Sequence, residues 1–218
     1  MGINISASLL LGNDFENKFR ENAVKEIRKV LLRSYPRIQK GVLKSLRAIA
    51  RERIIDSPEY NSMIGGTLRG ELGLPDGMSR ITRIIEQWIL NIRVTVNTGS
   101  GRSLGYISIS MIESTYGDVL DLPESVLRYT NRKGKSVSLD WLKWLLTEGG
   151  STIVSEYEFS PSSKGRTGLG VMIKSRGGWK VPAQFAGVAN DNFVTRSFEG
   201  ITKDIEIIIR REITKGTI

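Results

Sequence analysis

Two short basic stretches, each containing glycine, hold the residues best suited to contact a polyanion. One is Asn131-Arg132-Lys133-Gly134-Lys135, and the other runs from Ser160 to Gly168. Lysine and arginine side chains neutralise phosphate groups without reading base sequence. We therefore expect contacts to DNA or to a partner protein from Arg132, Lys133, Lys135, Lys164 and Arg166.

The second stretch also has a superficial likeness to a phosphate-binding loop, Gly165-Arg166-Thr167-Gly168-Leu169-Gly170. It lacks the spacing GxxxxGK[ST], and the residues after it alternate as in a strand instead of opening a helix. A hairpin loop that needs the backbone freedom of glycine is the favoured interpretation.

Catalytic chemistry is restricted by residue types, because the chain has no Cys and no His. Disulfides, zinc sites with Cys or His ligands, Cys nucleophiles and Ser-His-Asp triads are thereby excluded. A two-metal nuclease would need converging carboxylates. Its candidates are Asp118, Asp121, Glu124, Glu156 and Glu158. The last two share a face if their strand is extended, and a solvated strand face is the favoured interpretation, so we expect no enzyme, no catalytic or metal site and no cofactor.

The charge of the chain is strongly positive but unevenly distributed. Its 218 residues include 32 Lys and Arg against 23 Asp and Glu, a net charge of +9. The net charge is +6 over residues 1–56, −3 over 57–127, +6 over 128–180 and zero over 181–218. This asymmetry fits a surface that meets a polyanion, and it equally fits subunits that pack a basic face on an acidic one.

The elements that position these residues begin with a helical N-terminal part, residues 13–56. Apolar residues recur there at helical spacing on both sides of Pro36. Proline lacks an N–H, and its ring clashes with the preceding turn. The pattern predicts a helix pair over 13–34 and 36–55, kinked or broken near Tyr35.

The remainder predicts short elements. Five glycines indicate a loop over 59–78, with one ordered piece around 68–72. Helical spacing predicts helices at 80–90, within 139–148 and over 192–214, although the last stretch could also alternate as a strand. Alternation predicts strands, paired as two hairpins, at 92–96, 105–112, 152–159 and 169–174.

These elements predict an α+β fold in a single domain, residues 1–218. We expect an antiparallel sheet of about four strands, packed by the long N-terminal helix pair, a short middle helix and a C-terminal helix. Residues 117–137 and 160–168 are predicted to be extended loops, and we expect 128–137 and 160–168 to be ordered by contacts with partners instead of by the core of the domain. No window approaches 18 apolar residues, so we expect no membrane span.

Several stretches carry a resemblance to phage proteins. Ser57-Pro58-Glu59-Tyr60 followed by Gly65-Gly66-Thr67-Leu68-Arg69-Gly70-Glu71-Leu72-Gly73 resembles the tail-completion and neck proteins of tailed bacteriophages, where a Pro and a Gly-x-Leu-Arg cluster follow the first long helix. Later stretches resemble phage virion structural proteins: 139–149, 166–173, Gly178-Trp179-Lys180-Val181-Pro182, Phe185-Ala186-Gly187 and Asn190-Asp191-Asn192-Phe193-Val194-Thr195-Arg196. In all, the resemblance extends over residues 13–212.

The resemblance implies a non-enzymatic protein of the virion, made in the host cytoplasm. Such proteins form a ring, commonly a hexamer or a dodecamer, between the portal or connector of the head and the tail. A basic subunit repeated around a ring would line a DNA channel by nonspecific electrostatics. A tail terminator that caps the tail tube has a related fold and is the alternative.

Two further alternatives come from other classes. The basic helix and loops could serve a sequence-nonspecific DNA-binding protein, although the chain has no helix-turn-helix, zinc-finger or RNP signature. A metal-dependent nuclease that uses the carboxylates above is the other.

Overall fold

The computed structural model describes residues 13–99, 105–111, 115–131 and 133–217, so Arg132 lies outside the described residues. Helices and antiparallel hairpins alternate along the chain, which confirms the α+β class. The helices are α1 (Asn13–Ile55), α2 (Pro58–Gly65), α3 (Thr67–Glu71), α4 (Gly77–Asn91), α5 (Gly117–Leu120), α6 (Trp141–Leu146), α7 (Phe193–Ser197) and α8 (Ile201–Thr217). The strands are β1 (Arg93–Asn97), β2 (Tyr106–Ser110), β3 (Leu127–Thr130), β4 (Ser136–Leu139), β5 (Val154–Pro161) and β6 (Gly170–Trp179).

The N-terminal part is one helix of 43 residues, so the predicted break near Tyr35 is wrong. Pro36 lies inside α1 on its exposed side and forfeits one backbone hydrogen bond. Beyond it, every fourth residue is buried, which holds the carboxyl half of α1 on the body. These residues are Ile38, Val42, Leu46, Ala50 and Ile54. Burial of such a stripe, at about 1.5–3 kcal/mol for each large side chain, outweighs the proline.

The glycine-rich stretch predicted as a loop contains two short helices, α2 and α3. Ser57 is the N-cap of α2, where its Oγ accepts a hydrogen bond from the Tyr60 N–H at 3.2 Å, and Pro58 occupies the first turn. Serine followed by proline is a strong helix-start signal. The glycine content concealed it, because Gly65 and Gly66 mark only the end of α2 and the start of α3.

The strands form three separate two-stranded antiparallel sheets, β1–β2, β3–β4 and β5–β6, instead of one four-stranded sheet. The β1–β2 and β5–β6 hairpins were predicted. The β3–β4 hairpin was not, because residues 117–137, predicted to be an extended loop, contain α5, a short 3₁₀ helix (Pro123–Ser125) and β3. The strands of a hairpin pair locally, whereas association of hairpins depends on long-range packing that periodicity does not encode.

Two hydrophobic clusters hold these elements together. The larger is built around α4 and α6 with Trp88, Trp141 and Phe193, and the smaller lies between α1, β1 and α8. The C-terminal stretch is helical as predicted, but it divides into α7 and α8 at Gly200, whose φ of 72° is left-handed. No helix within the described ranges has both the length and the apolarity needed to cross a membrane.

Candidate functional site

Lys133 and Lys135 lie in the tight turn between β3 and β4. The Asn131 Oδ1 accepts hydrogen bonds from the backbone N–H groups of both lysines, each at 3.0 Å. Gly134 has a φ of 72°, a left-handed conformation that glycine adopts without strain. Both lysines are exposed. The turn therefore presents two cations to solvent from a backbone that its own asparagine holds.

Lys164 and Arg166 lie in the loop between β5 and β6, and Arg166 fixes that loop to the rest of the chain. Its Nε donates to the Gly73 carbonyl at 2.9 Å, and its Cζ lies 4.2 Å from the centroid of the Tyr129 ring. The second contact has cation–π geometry. Lys164 is exposed.

Arg166 thereby joins the loop of the β5–β6 hairpin to the β3–β4 hairpin. Tyr129 lies in β3 two residues before Asn131, where the turn with Lys133 and Lys135 begins, which is about 7 Å along the strand. Four of the five predicted contact residues thus belong to adjoining segments. We call these four residues, Lys133, Lys135, Lys164 and Arg166, the basic hairpin surface. Both segments also have contacts within this chain, whereas the sequence predicted that contacts with partners would order them.

Beneath the loop lies a cleft of about 490 Å³ with aromatic walls. Trp144 and Trp179 meet edge to face with their ring centroids 6.4 Å apart. Glu71, at the end of α3, places its Oε2 3.1 Å from the Trp179 Nε1, which donates a hydrogen bond to it. We call this the aromatic cleft, and its lining includes Glu71, Tyr129, Trp144, Phe159, Arg166 and Trp179.

The carboxyl of Glu71 is the polar group of this cleft that sequence reasoning missed. Burial raises the pKa of Glu71 above its usual range, and the hydrogen bond from the Trp179 indole opposes that rise. Glu71 and Trp179 are 108 residues apart. No local period of the sequence links the two residues.

The carboxylates considered for a nuclease are engaged separately. Glu124 pairs with the Arg83 guanidinium at 3.1 Å, and Asp118 accepts from the Asn91 amide at 3.1 Å. Glu156 occupies a β-bulge with a φ of 61°, so the regular alternation that was to place it on one face with Glu158 does not hold there. Asp121 is exposed. Over the ranges given above, no three Asp or Glu side chains cluster as metal ligands.

The residues around Asn192 form a buried polar network. The Asn192 amide donates to the Tyr116 Oη at 2.8 Å and to the Leu146 and Val188 carbonyls at 3.2 and 3.0 Å. Nearby, the Arg196 guanidinium lies 2.9 Å from the buried Glu59 carboxylate and 2.8 Å from Asp191. This network joins the segment before α7 to α2 and α6.

No protein-family model matches this chain, and no curated protein or solved structure is significantly similar to it. Function must therefore be inferred from the residues and the geometry of the chain itself.

Proposed function

We propose that this protein is a structural component of a tailed-phage virion, a neck or tail-completion protein that joins the head connector to the tail. It assembles into a ring of identical subunits around the DNA channel. A tail terminator, which would use the same kind of subunit at the end of the tail tube, is the alternative within this class.

The observation that supports the proposal best is the convergence of the phage-like stretches on one packed unit. Glu71 of the first stretch accepts a hydrogen bond from Trp179 of a later one, and Gly73 accepts one from Arg166. Glu59 of the first stretch pairs with Arg196 of the last. Residues far apart in sequence, all within stretches that carry the resemblance, thus belong to one packed module.

The basic hairpin surface supplies what a DNA channel needs. Lys133, Lys135 and Lys164 are exposed on hairpin ends, where lysines make sequence-independent phosphate contacts. Repetition around a ring sums the positive potential of the subunits. Arg166 lies over Tyr129 and donates to Gly73, so it anchors the loop that presents Lys164.

Electron microscopy tests the proposal directly. Negative-stain images of the purified full chain are expected to show rings, with particle masses of six or twelve subunits. Antibody labelling of virions should mark the junction of head and tail. A strictly monomeric protein that is absent from virions contradicts the proposal.

A sequence-nonspecific DNA-binding protein is the second candidate, and the exposed lysines of the two hairpins favour it. Reversal of Lys133 and Lys135 to Glu should weaken binding to duplex DNA and reduce the salt slope by about 0.9 for each lost phosphate contact. Lys203→Glu, an exposed charge reversal on α8, is the matched control. No detectable binding by the unmodified chain at low salt contradicts this candidate.

A further inference from the structure

The aromatic cleft has the size and the lining of a small-ligand site. Its volume of about 490 Å³ lies within the range of roughly 300–1,000 Å³ that such sites span. Tyr129, Trp144 and Phe159 line it, and each of these residues is partly exposed. Aromatic rings that remain accessible in a cleft offer flat faces on which another flat ring can stack.

The aromatic walls are fixed by packing within the chain. Gly170 lies so close to the Phe159 ring that a Cβ at this position would overlap it. Gly70 lies against the same ring, where an added Cβ would come within 3.1 Å of the Phe159 Cζ. The edge-to-face contact between Trp144 and Trp179 holds the opposite rings. Walls that are fixed before a ligand arrives lower the entropic cost of binding it.

The cleft also contains the Glu71 carboxylate, which is partly buried. Within the part of the chain that the structure describes, no Lys or Arg forms an ion pair with Glu71, whose carboxylate accepts a hydrogen bond from the Trp179 indole. A carboxylate has two oxygens and several lone pairs, and one indole N–H occupies only one of these positions. Glu71 is therefore available as an acceptor to a ligand that donates an N–H.

Two cations border the same cleft from the loop between β5 and β6. Lys164 and Arg166 line it, and both are exposed. Backbone groups of this loop are engaged within it: the N–H of Lys164 donates to the Ser162 hydroxyl at 3.1 Å, and that of Leu169 donates to the Thr167 hydroxyl at 3.2 Å. An anionic group at this edge would therefore be bound by the two cationic side chains instead of by a cradle of backbone N–H groups.

We propose that the aromatic cleft binds a nucleobase with an exocyclic amino group, and that Lys164 and Arg166 bind the attached phosphate. The base stacks on the exposed ring faces, and its amino group donates to the Glu71 carboxylate. A free nucleotide and an unpaired base of single-stranded DNA share this chemistry. A cationic ligand, such as a lysine side chain of a partner protein, fits less well because Lys164 and Arg166 repel it. The inference goes beyond the proposed neck function and does not depend on it.

Fluorescence anisotropy of the full chain with labelled oligodeoxycytidine and oligothymidine tests the recognition of the amino group. Cytosine donates from its N4 amino group, whereas thymine presents an oxygen there, which a carboxylate repels. We expect oligodeoxycytidine to bind about tenfold more tightly, the ratio that corresponds to one hydrogen bond to a charged group. Competition by deoxycytidine monophosphate distinguishes the two sources: displacement of the oligonucleotide assigns a free nucleotide, and retention assigns the single strand.

Glu71→Gln and Lys164→Glu separate the contact to the base from the contact to the phosphate. Glutamine keeps an oxygen for Trp179 and turns an amide donor toward the ligand, so the preference for oligodeoxycytidine should fall from about tenfold to about one. The ratio is decisive, because the loss of a negative charge alone raises the affinity for both oligonucleotides. Lys164→Glu should weaken both alike and reduce the salt slope by about 0.7. Glu206→Gln, the same change at an exposed position of α8 outside the cleft, is the matched control and should keep the tenfold preference.

Three results would overturn the inference. They are equal affinity of the unmodified chain for the two oligonucleotides, an unchanged preference in Glu71→Gln, and no binding of either oligonucleotide at low salt. Binding of Nα-acetyl-lysine amide in their place would assign the cleft to a cationic side chain of a partner protein. Each of these results leaves the proposed neck function standing, whereas absence of the protein from virions would refute that function alone.

Discussion

The buried amide of Asn192 offers the sharpest test of how the C-terminal segment is held. Asn192 is fully buried and is the N-cap of α7, where its Oδ1 accepts from the Val194 and Thr195 N–H groups at 3.1 and 3.3 Å. Its Nδ2 is directed the other way, to Tyr116 and to the carbonyls of Leu146 and Val188. One side chain therefore caps a helix and satisfies acceptors on three other segments.

The helix cap and the amide donors of Asn192 contribute separately to the free energy of unfolding. Loss of an N-cap costs about 1 kcal/mol, and buried groups left without partners cost about 1–3 kcal/mol. Asn192→Ala removes both contributions, so we expect the free energy of unfolding to fall by about 2–4 kcal/mol. Asn192→Ser retains a capping oxygen and removes the amide donors, so its cost should be smaller by about 1 kcal/mol.

Urea unfolding at constant m-value measures these differences. Ser57→Ala is the control, because the Ser57 Oγ accepts from the Tyr60 N–H to cap α2 and donates only one further bond, to the Ile54 carbonyl at 2.7 Å. It should cost about 1 kcal/mol. If Asn192→Ala costs no more than Ser57→Ala, the amide donors of Asn192 contribute nothing and the network does not hold the segment.

Three further predictions concern other parts of the chain. Pro36→Ala restores a backbone donor inside α1, so helicity measured by circular dichroism should increase and unfolding should cost about 1–3 kcal/mol more; unchanged helicity contradicts this. Because burial raises the pKa of Glu71 in the folded chain, its ionisation opposes folding: stability is full at low pH and falls as pH rises through that pKa. Glu71→Gln, which can still accept from Trp179, should therefore unfold at higher urea at pH 7 and match the unmodified chain below about pH 4; an equal gain at both pH values refutes the cause. Glu59→Gln removes the buried carboxylate from Arg196, which keeps Asp191 at 2.8 Å, so stability in urea titrations should fall by about 1.5 kcal/mol, with a negligible change counting against the pair.

Elements with a regular apolar period could be predicted from the sequence. Residues 80–90 predicted most of α4, and alternation predicted the β1–β2 and β5–β6 hairpins, because in each case one face is buried. The same reasoning failed at Pro36. It counted the backbone hydrogen bond that proline loses but not the burial of the apolar residues that follow in α1. It also failed at Ser57, where a capping signal stood before a glycine-rich run.

Only the charged residues of the candidate site could be predicted from the sequence. Lys133, Lys135 and Lys164 stand out because they lie in polar, glycine-bearing stretches. The contact of Arg166 with Gly73 joins residues 93 apart, and the bond between Glu71 and Trp179 joins residues 108 apart. Such contacts follow from the packing of separate hairpins on α3, which no local period records.

The charge distribution of the chain has two interpretations, a surface that meets a polyanion and subunits that pack a basic face on an acidic one. The ion pairs of the acidic middle segment, residues 57–127, bear on both. Several of its carboxylates are engaged internally: Glu59 with Arg196, Asp76 with Arg80, and Glu124 with Arg83. Glu59 is buried, whereas the Asp76 side chain remains 49% exposed beside its arginine. The cations of the hairpin ends are exposed by contrast. The exposed cations of the hairpin ends are thus the part of the excess positive charge that a polyanion could contact directly.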